Sequence, residues 1–338
     1  MPSPRTDRAA RLPLPPNLTT LGPDAITWRF RVSAFLLVLV LGAGTLVIVR
    51  TPVGAAGVRE SRFVRVPPLA ADPAARIARG PRVLIPTVVA PSAVVVDATT
   101  GRVLFAKRPD LPLPVASLAK IMTALLVLER ADLAATVRVS RGAAFAEPVV
   151  MGLRPGERIT VRALLYGLLL RSGNDAAVAL AEHVSGSVRV FLDLMNGRAR
   201  SLGLRHTWFA SPNGLDDRGF ATARDLATLT RAALANGTFA RIVDTDRFVL
   251  REGPGRPRVL WNINLFRGQY VGAFGVKTGF TTRAGDCLAA AAHRGGRILV
   301  AVVLGDSPAS HWQDAFGDAA RLLDYGFESG GKRPGHSV

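Results

Sequence analysis

Ser117 and Lys120 stand three residues apart in Ser117-Leu118-Ala119-Lys120. Serine is a poor nucleophile until a base takes its proton. The histidines His183, His206, His293, His311 and His336 form no Ser-His-Asp pattern, and no G-x-S-x-G elbow is present. They also lack metal spacing such as H-E-x-x-H. Lysine is therefore the base to look for, and only four of the 43 basic residues are lysines: Lys107, Lys120, Lys277 and Lys332. Arginine cannot release its proton in a protein, whereas a lysine amine can be tuned to do so. On a helix, positions i and i+3 share a face, so the Lys120 amine can reach the Ser117 hydroxyl. Free backbone N–H groups at the helix start favour the negative charge that develops in acyl transfer. Ser329-Gly330-Gly331-Lys332 repeats the pattern in a Gly-rich tail with no helix to hold it.

Two further clusters could complete such a site. Ser172-Gly173-Asn174 falls where two helices meet, so its side chains can project into a cleft. Ser172 could pass a proton to a leaving group, and Asn174 could hold a substrate amide or orient Lys120. Ser211-Pro212-Asn213 matches the same pattern, but its Pro and the following Gly explain it as a turn. Lys277-Thr278-Gly279 follows a β-like run over 270–276. Lys277 offers positive charge to a substrate carboxylate, and Thr278 adds a hydroxyl donor. Gly279 lets a substrate backbone lie against the strand. Cys287 lies in an apolar strand and reads as core rather than as a nucleophile.

The elements around these residues are strands, then helices, then strands, then a helix. Ser92 to Asp97 and Arg102 to Ala106 read as a hairpin. Ser117 to Arg130 reads as a helix with an apolar face at Ile121, Leu125 and Leu128. Helices follow over 160–170, 174–184, 188–202 and 223–235. Short strands are expected at 276–277, 287–292 and 298–304, and a closing helix at 312–327. Strands from both ends could share one antiparallel sheet with the helices packed on it.

Composition bounds the rest. The 338 residues are 49% apolar and 20% charged, which excludes a disordered chain and a coiled coil. A lone cysteine excludes an intrachain disulfide and a cysteine-rich metal site. The net charge of +18 suggests an anionic partner. The arginines are scattered with no basic-aromatic stripe, which speaks against nucleic acid and for anionic lipid or wall polymer. Residues 1–31 read as a disordered tail, and 50–85 as a linker to a catalytic domain over 86–328. Residues 329–338 read as a second tail. Val32 to Val49 carries no charge in its 18 residues. As a helix it would be about 27 Å long, enough for a bilayer core. It reads as a membrane anchor or an uncleaved signal, with cleavage near Val53-Gly54-Ala55 as the rival, and it puts the domain outside the cytoplasm.

The order S-x-x-K, S-x-N, K-T-G resembles the active-site serine penicillin-binding enzymes. The stretches ASLAKIMTALLVLE, MGLRPGERITVRALLYGLLLRSGNDAAVALAE, SPNGLDDRGFATARDLATL and GVKTGFTTRAGDCLAAAA narrow the likeness to the S11 serine peptidases, low-molecular-mass D-alanyl-D-alanine carboxypeptidases. The resemblance covers roughly 86–328. It implies an α+β fold of the penicillin-binding, β-lactamase-like type: a five-stranded antiparallel sheet flanked by helices on both faces, with an all-helical region inserted. It implies Ser117 as nucleophile and Lys120 as base. Ser172 and Asn174 would line one side of the cleft, and Lys277, Thr278 and Gly279 the other. The oxyanion hole would use the backbone N–H groups of Ser117 and Phe280. The implied reaction removes the terminal D-alanine from peptidoglycan stem pentapeptides through an acyl-enzyme, with no metal or cofactor, and β-lactams would acylate Ser117. Arg171 departs from the proline that many members carry there. Three rivals share the fold. A class A β-lactamase needs a deacylating glutamate, and none lies between Glu182 and Glu252. A non-catalytic wall-binding module would not need three intact motifs. A D,D-endopeptidase shares the chemistry, and the sequence does not separate it from the carboxypeptidase.

Overall fold

The computed structural model describes residues 84–253, 255–310 and 312–329. The expected tail 1–31, the apolar run Val32 to Val49, nearly all of the linker and residues 330–338 lie outside the described residues. Among the described residues no helix is long and apolar enough to cross a membrane.

The chain begins with β1 (Ser92–Asp97) and β2 (Val103–Lys107), then a 3-10 turn over Ala116–Ala119 that runs into α1 (Lys120–Arg130). Next come β3 (Thr136–Arg138), α2 (Arg141–Ala144), β4 (Arg158–Thr160), α3 (Val161–Leu170), α4 (Asn174–Ser185) and α5 (Val188–Ser201). Then follow α6 (Ala223–Leu234), α7 (Gly237–Val243), β5 (Arg247–Leu250), β6 (Arg258–Trp261) and α8 (Phe266–Gln269). The chain closes with β7 (Ala273–Thr281), β8 (Gly285–Arg294), β9 (Arg297–Asp306) and α9 (Gln313–Glu328).

Five strands form one antiparallel sheet in the order β2-β1-β9-β8-β7. The two ends of the domain meet in its middle, where β1 pairs with β9 from Ser92↔Leu304 to Asp97↔Leu299. Successive side chains on a strand point to opposite faces. Ala93, Val95, Leu299, Ala301 and Val303 accordingly pack under α9, against Ala315, Ala319, Leu322 and Leu323. Val94, Val96, Val300 and Val302 face the other way, into the core built with α1, α3, α4 and α6. Burial on both faces explains why β1 and β9 are unbroken apolar runs rather than alternating ones.

The central helix differs from its sequence reading. An apolar face was expected at Ile121, Leu125 and Leu128, but every residue of α1 from Lys120 to Val127 is buried. The helix is wrapped on all sides by α3, α4, α5 and α6. A helix apolar all round belongs in a core. The 3-10 turn at its start is therefore held rigidly over the sheet.

Candidate active site

The segment that opens α1 is a 3-10 turn over 116–119, not the uninterrupted α-helix that the sequence predicts. The difference matters for reach. A 3-10 turn has three residues per turn, so side chains at i and i+3 eclipse. Lys120 Nζ lies 2.7 Å from Ser117 Oγ. The same amine donates to the Asn213 carbonyl at 2.7 Å.

Lys120 is 0% exposed. Burial pushes its amine well below the ordinary lysine value, and the charge of Lys277 adds to this against an opposing pull from Asp175. A long side chain that is fully buried without a carboxylate partner favours its neutral form. The backbone around the pair is unusual as well. Ala116 has φ +47° and Ser172 has φ +58°, both in the left-handed region that side chains disfavour. Such conformations persist only where the surroundings hold them, and they cluster at functional sites.

Ser172 lies in the turn between α3 and α4 and is nearly buried. Asn174 starts α4, which packs against α1. Its backbone N–H donates to the Val149 carbonyl at 2.8 Å, and its Nδ2 donates to the Glu147 carbonyl at 2.9 Å. Its Oδ1 is buried and has no hydrogen-bond partner among the described residues. A buried amide oxygen left open in this way is an acceptor waiting for a donor.

Lys277, Thr278 and Gly279 lie inside β7, a nine-residue edge strand, whereas the sequence predicts a β-like run over 270–276 and a strand that ends at Lys277. Lys277 is buried, and burial alone brings its amine down to about 7. It donates to the Thr278 carbonyl at 2.7 Å. A Cβ added to Gly279 would lie 2.9 Å from Ser117 N, 3.1 Å from Leu118 N and 3.1 Å from the Val115 carbonyl oxygen. All three are backbone atoms and cannot swing aside. The strand thus lies directly against the turn that carries Ser117, and only glycine permits it. Gly279→Ala is expected to push β7 off that turn and to cut acylation by a penicillin by at least about tenfold, since an ångström of misplacement costs that much or more. The measurement is the acylation rate alongside the thermal midpoint; a wild-type rate would show that the close approach has no role.

Two groups that sequence reasoning passed over hold these residues. Asp175 is fully buried, and its carboxylate accepts from the N–H groups of Met151, Gly152 and Leu153. That pins the loop whose carbonyls hold Asn174. Its position next to Ser172-Gly173-Asn174, in the first turn of a helix, was the available signal. The second is the turn over 211–214. It is a turn as expected, since Ser211 Oγ accepts from Gly214 N and Asp216 N. Yet its Asn213 carbonyl is the second partner of Lys120, and a Cβ on Gly214 would lie 1.8 Å from the Ala116 carbonyl oxygen. A backbone carbonyl carries no residue-type signal.

Cys287 is buried among core residues, and burial pushes its thiol up to about 12. Among the described residues no group of His, Cys, Asp and Glu is arranged to hold a metal ion.

The family model described as D-alanyl-D-alanine carboxypeptidase, peptidase S11, matches residues 80–308. The D-alanyl-D-alanine carboxypeptidase DacF of Bacillus subtilis is 38% identical over 244 residues, which are 70% of this chain and 62% of that protein. The chain thus spans less than two thirds of that relative. DacB2 of Mycobacterium tuberculosis, also named a D-alanyl-D-alanine carboxypeptidase, is 37% identical over 241 residues, 69% of this chain and 81% of that one. Among solved structures, a mutant of the Streptomyces K15 DD-transpeptidase superposes with a TM-score of 0.68 at 34% identity, covering 72% of this chain and 100% of that one. The family model covers more than half of the chain, and the chain belongs to the S11 peptidases, the D-alanyl-D-alanine carboxypeptidase family.

Proposed function

We propose that this protein is a serine D,D-carboxypeptidase that removes the terminal D-alanine from peptidoglycan stem pentapeptides. The observation that carries the reading is a fully buried amine 2.7 Å from a serine hydroxyl. A neutral Lys120 has one lone pair to accept the Ser117 proton while its N–H donates to Asn213. Ser117 Oγ attacks the carbonyl of the penultimate D-alanine. The tetrahedral oxyanion is received by the backbone N–H groups of Ser117 and Phe280; the close approach of Gly279, the residue before Phe280, to Ser117 N supports this. The proton passes from Lys120, by way of Ser172, to the leaving amine, and D-alanine departs. Water then attacks the acyl-enzyme, with Lys120 again as base.

The residues around this pair supply the binding roles. Lys277 and Thr278 receive the terminal carboxylate. The open Oδ1 of Asn174 accepts from a substrate amide. A β-lactam, which places a strained amide at the same spot, acylates Ser117. The two glutamates flanking the region where a β-lactamase keeps its deacylating group are committed elsewhere. Glu252 accepts from Thr160 at the start of α3, and Glu182 sits at the far end of α4 from Asn174. That favours slow release of a bound β-lactam over its turnover.

Incubating the full chain with a pentapeptide ending in D-Ala-D-Ala should release free D-alanine and leave a tetrapeptide. No D-alanine together with no penicillin adduct would sink the reading. The apolar run Val32 to Val49 would hold the domain at the outer side of a membrane; recovery of full-length protein from the soluble fraction, with that run still attached, would refute the anchor.

A further inference from the structure

The ladder of β5 and β6 has two faces of opposite character. Residues directly opposite in an antiparallel pair share a face, and the face alternates along each strand. The pair Phe248↔Leu260 faces inward: Leu260 is buried, and Phe248 stacks on Tyr166 of α3. The pair Leu250↔Arg258 faces the same way, with Leu250 buried and Arg258 bound to Glu157. Arg247↔Trp261 and Val249↔Val259 therefore share the outer face. On it Trp261 is 55% exposed and Val259 is 44% exposed. Arg247 Cζ lies 5.7 Å from the centre of the Trp261 ring. The outer face of such a ladder is ordinarily polar, and grouped apolar side chains on a surface mark a place of contact.

The charge around this face has one sign. Arg251 and Arg256 are exposed in the connection between the two strands. Neither they nor Arg247 has a carboxylate partner among the described residues. The acid in that connection, Glu252, has both oxygens engaged by the N–H and hydroxyl of Thr160. The patch thus offers three free guanidinium groups around two valines and an indole. A sugar or peptide site needs hydrogen-bonding groups placed among its apolar ones, and the two valines offer none. Anionic lipid asks for what is present. Guanidinium groups meet phosphate, an indole sits at the boundary between headgroup and acyl chain, and valine adds apolar area.

We propose that the outer face of the β5–β6 ladder rests on an anionic phospholipid surface, with Trp261 and Val259 at the headgroup boundary and Arg247, Arg251 and Arg256 on phosphates. The patch is small, so the contact is weak by itself. The anchor proposed above supplies what it lacks, a high local concentration at the same membrane. Residues 50–83 join the apolar run to the described domain, and a chain of that length spans at most about 120 Å.

The test places a polarity-sensitive dye on Val259→Cys in the full chain. Cys287 is buried with its thiol pushed up to about 12, so it stays unlabelled. On vesicles rich in anionic phospholipid the dye should shift to shorter wavelength and be quenched by brominated acyl chains. On neutral vesicles, and at high salt, both signals should fall away. Arg251→Gln and Arg256→Gln should each raise the anionic lipid needed for half the shift by about fivefold, with the thermal midpoint unchanged. Flotation with neutral vesicles reports the anchor, so loss of the anchor and loss of the docking face are read separately. A dye that stays in water while the protein floats with anionic vesicles would overturn the proposal. So would a shift produced without lipid, by anionic wall polymer or by raised protein concentration, which would assign the face to the polymer or to a second copy.

Discussion

Ser117→Ala is expected to abolish covalent labelling by a fluorescent penicillin and to cut D-alanine release by at least about a thousandfold. The loss is chemical rather than structural. Alanine fits wherever serine does, and Lys120 keeps its bond to the Asn213 carbonyl. Removing the hydroxyl takes away the only atom that can carry the acyl group and leaves sheet, helices and charges in place. The thermal midpoint should therefore stay near that of the wild type while labelling disappears. Undiminished labelling would remove Ser117 from the mechanism.

Lys120→Arg should be nearly as damaging, at roughly a thousandfold in acylation, because general-base catalysis is typically worth two to four orders of magnitude. A guanidinium stays charged at any working pH and has no lone pair for the Ser117 proton. It also adds bulk and an obligatory charge at a position that is 0% exposed, so some loss of stability is expected as well. Lys120→Met separates the two effects. It keeps the apolar stem, removes the buried amine and should leave the domain folded, while acylation falls as far as in the arginine variant. Stopped-flow acylation of the three proteins, with thermal melts alongside, checks both statements. A wild-type rate in either variant would show that another group takes the proton.

Much of this fold was legible because its elements are marked by simple patterns. Ser92 to Asp97 and Ile298 to Leu304 are β-branched apolar runs, and they became β1 and the body of β9. Gly295 and Gly296 both adopt positive φ between β8 and β9, as a two-residue hairpin turn requires. The small ladders β3–β4 and β5–β6 were not legible. Their strands have three or four residues each, and what fixes β3 against β4 lies far along the chain. Glu157, next to β4, pairs with Arg258 of β6, and Phe248 of β5 stacks on Tyr166 of α3 at 4.0 Å. Such contacts exist only after the chain has folded.

The site divides along the same line. Its candidate side chains stand out by residue type and spacing, because a base that can lose its proton is rare in an arginine-rich chain. The full length of β7 does not, because Lys277 and Gly279 are weak strand formers. The strand is held by its pairing with the alanine-rich β8, from Lys277↔Ala289 to Gly279↔Cys287. The carbonyl of Asn213 and the approach of β7 to Ser117 belong to the backbone. No residue identity announces them, except the two glycines that a side chain would have displaced.

The account turns on Lys120 losing its proton far below the ordinary lysine value, and the chain is suited to seeing this directly. With only four lysines, a protein carrying 15N-labelled lysine gives four side-chain amine signals, and Lys120→Met identifies one of them. Titration followed by NMR should show Lys120 neutral well below pH 10.5 and Lys277 titrating near 7. A Lys120 amine that stays protonated up to about pH 10, in a protein that still acylates at neutral pH, would contradict the mechanism.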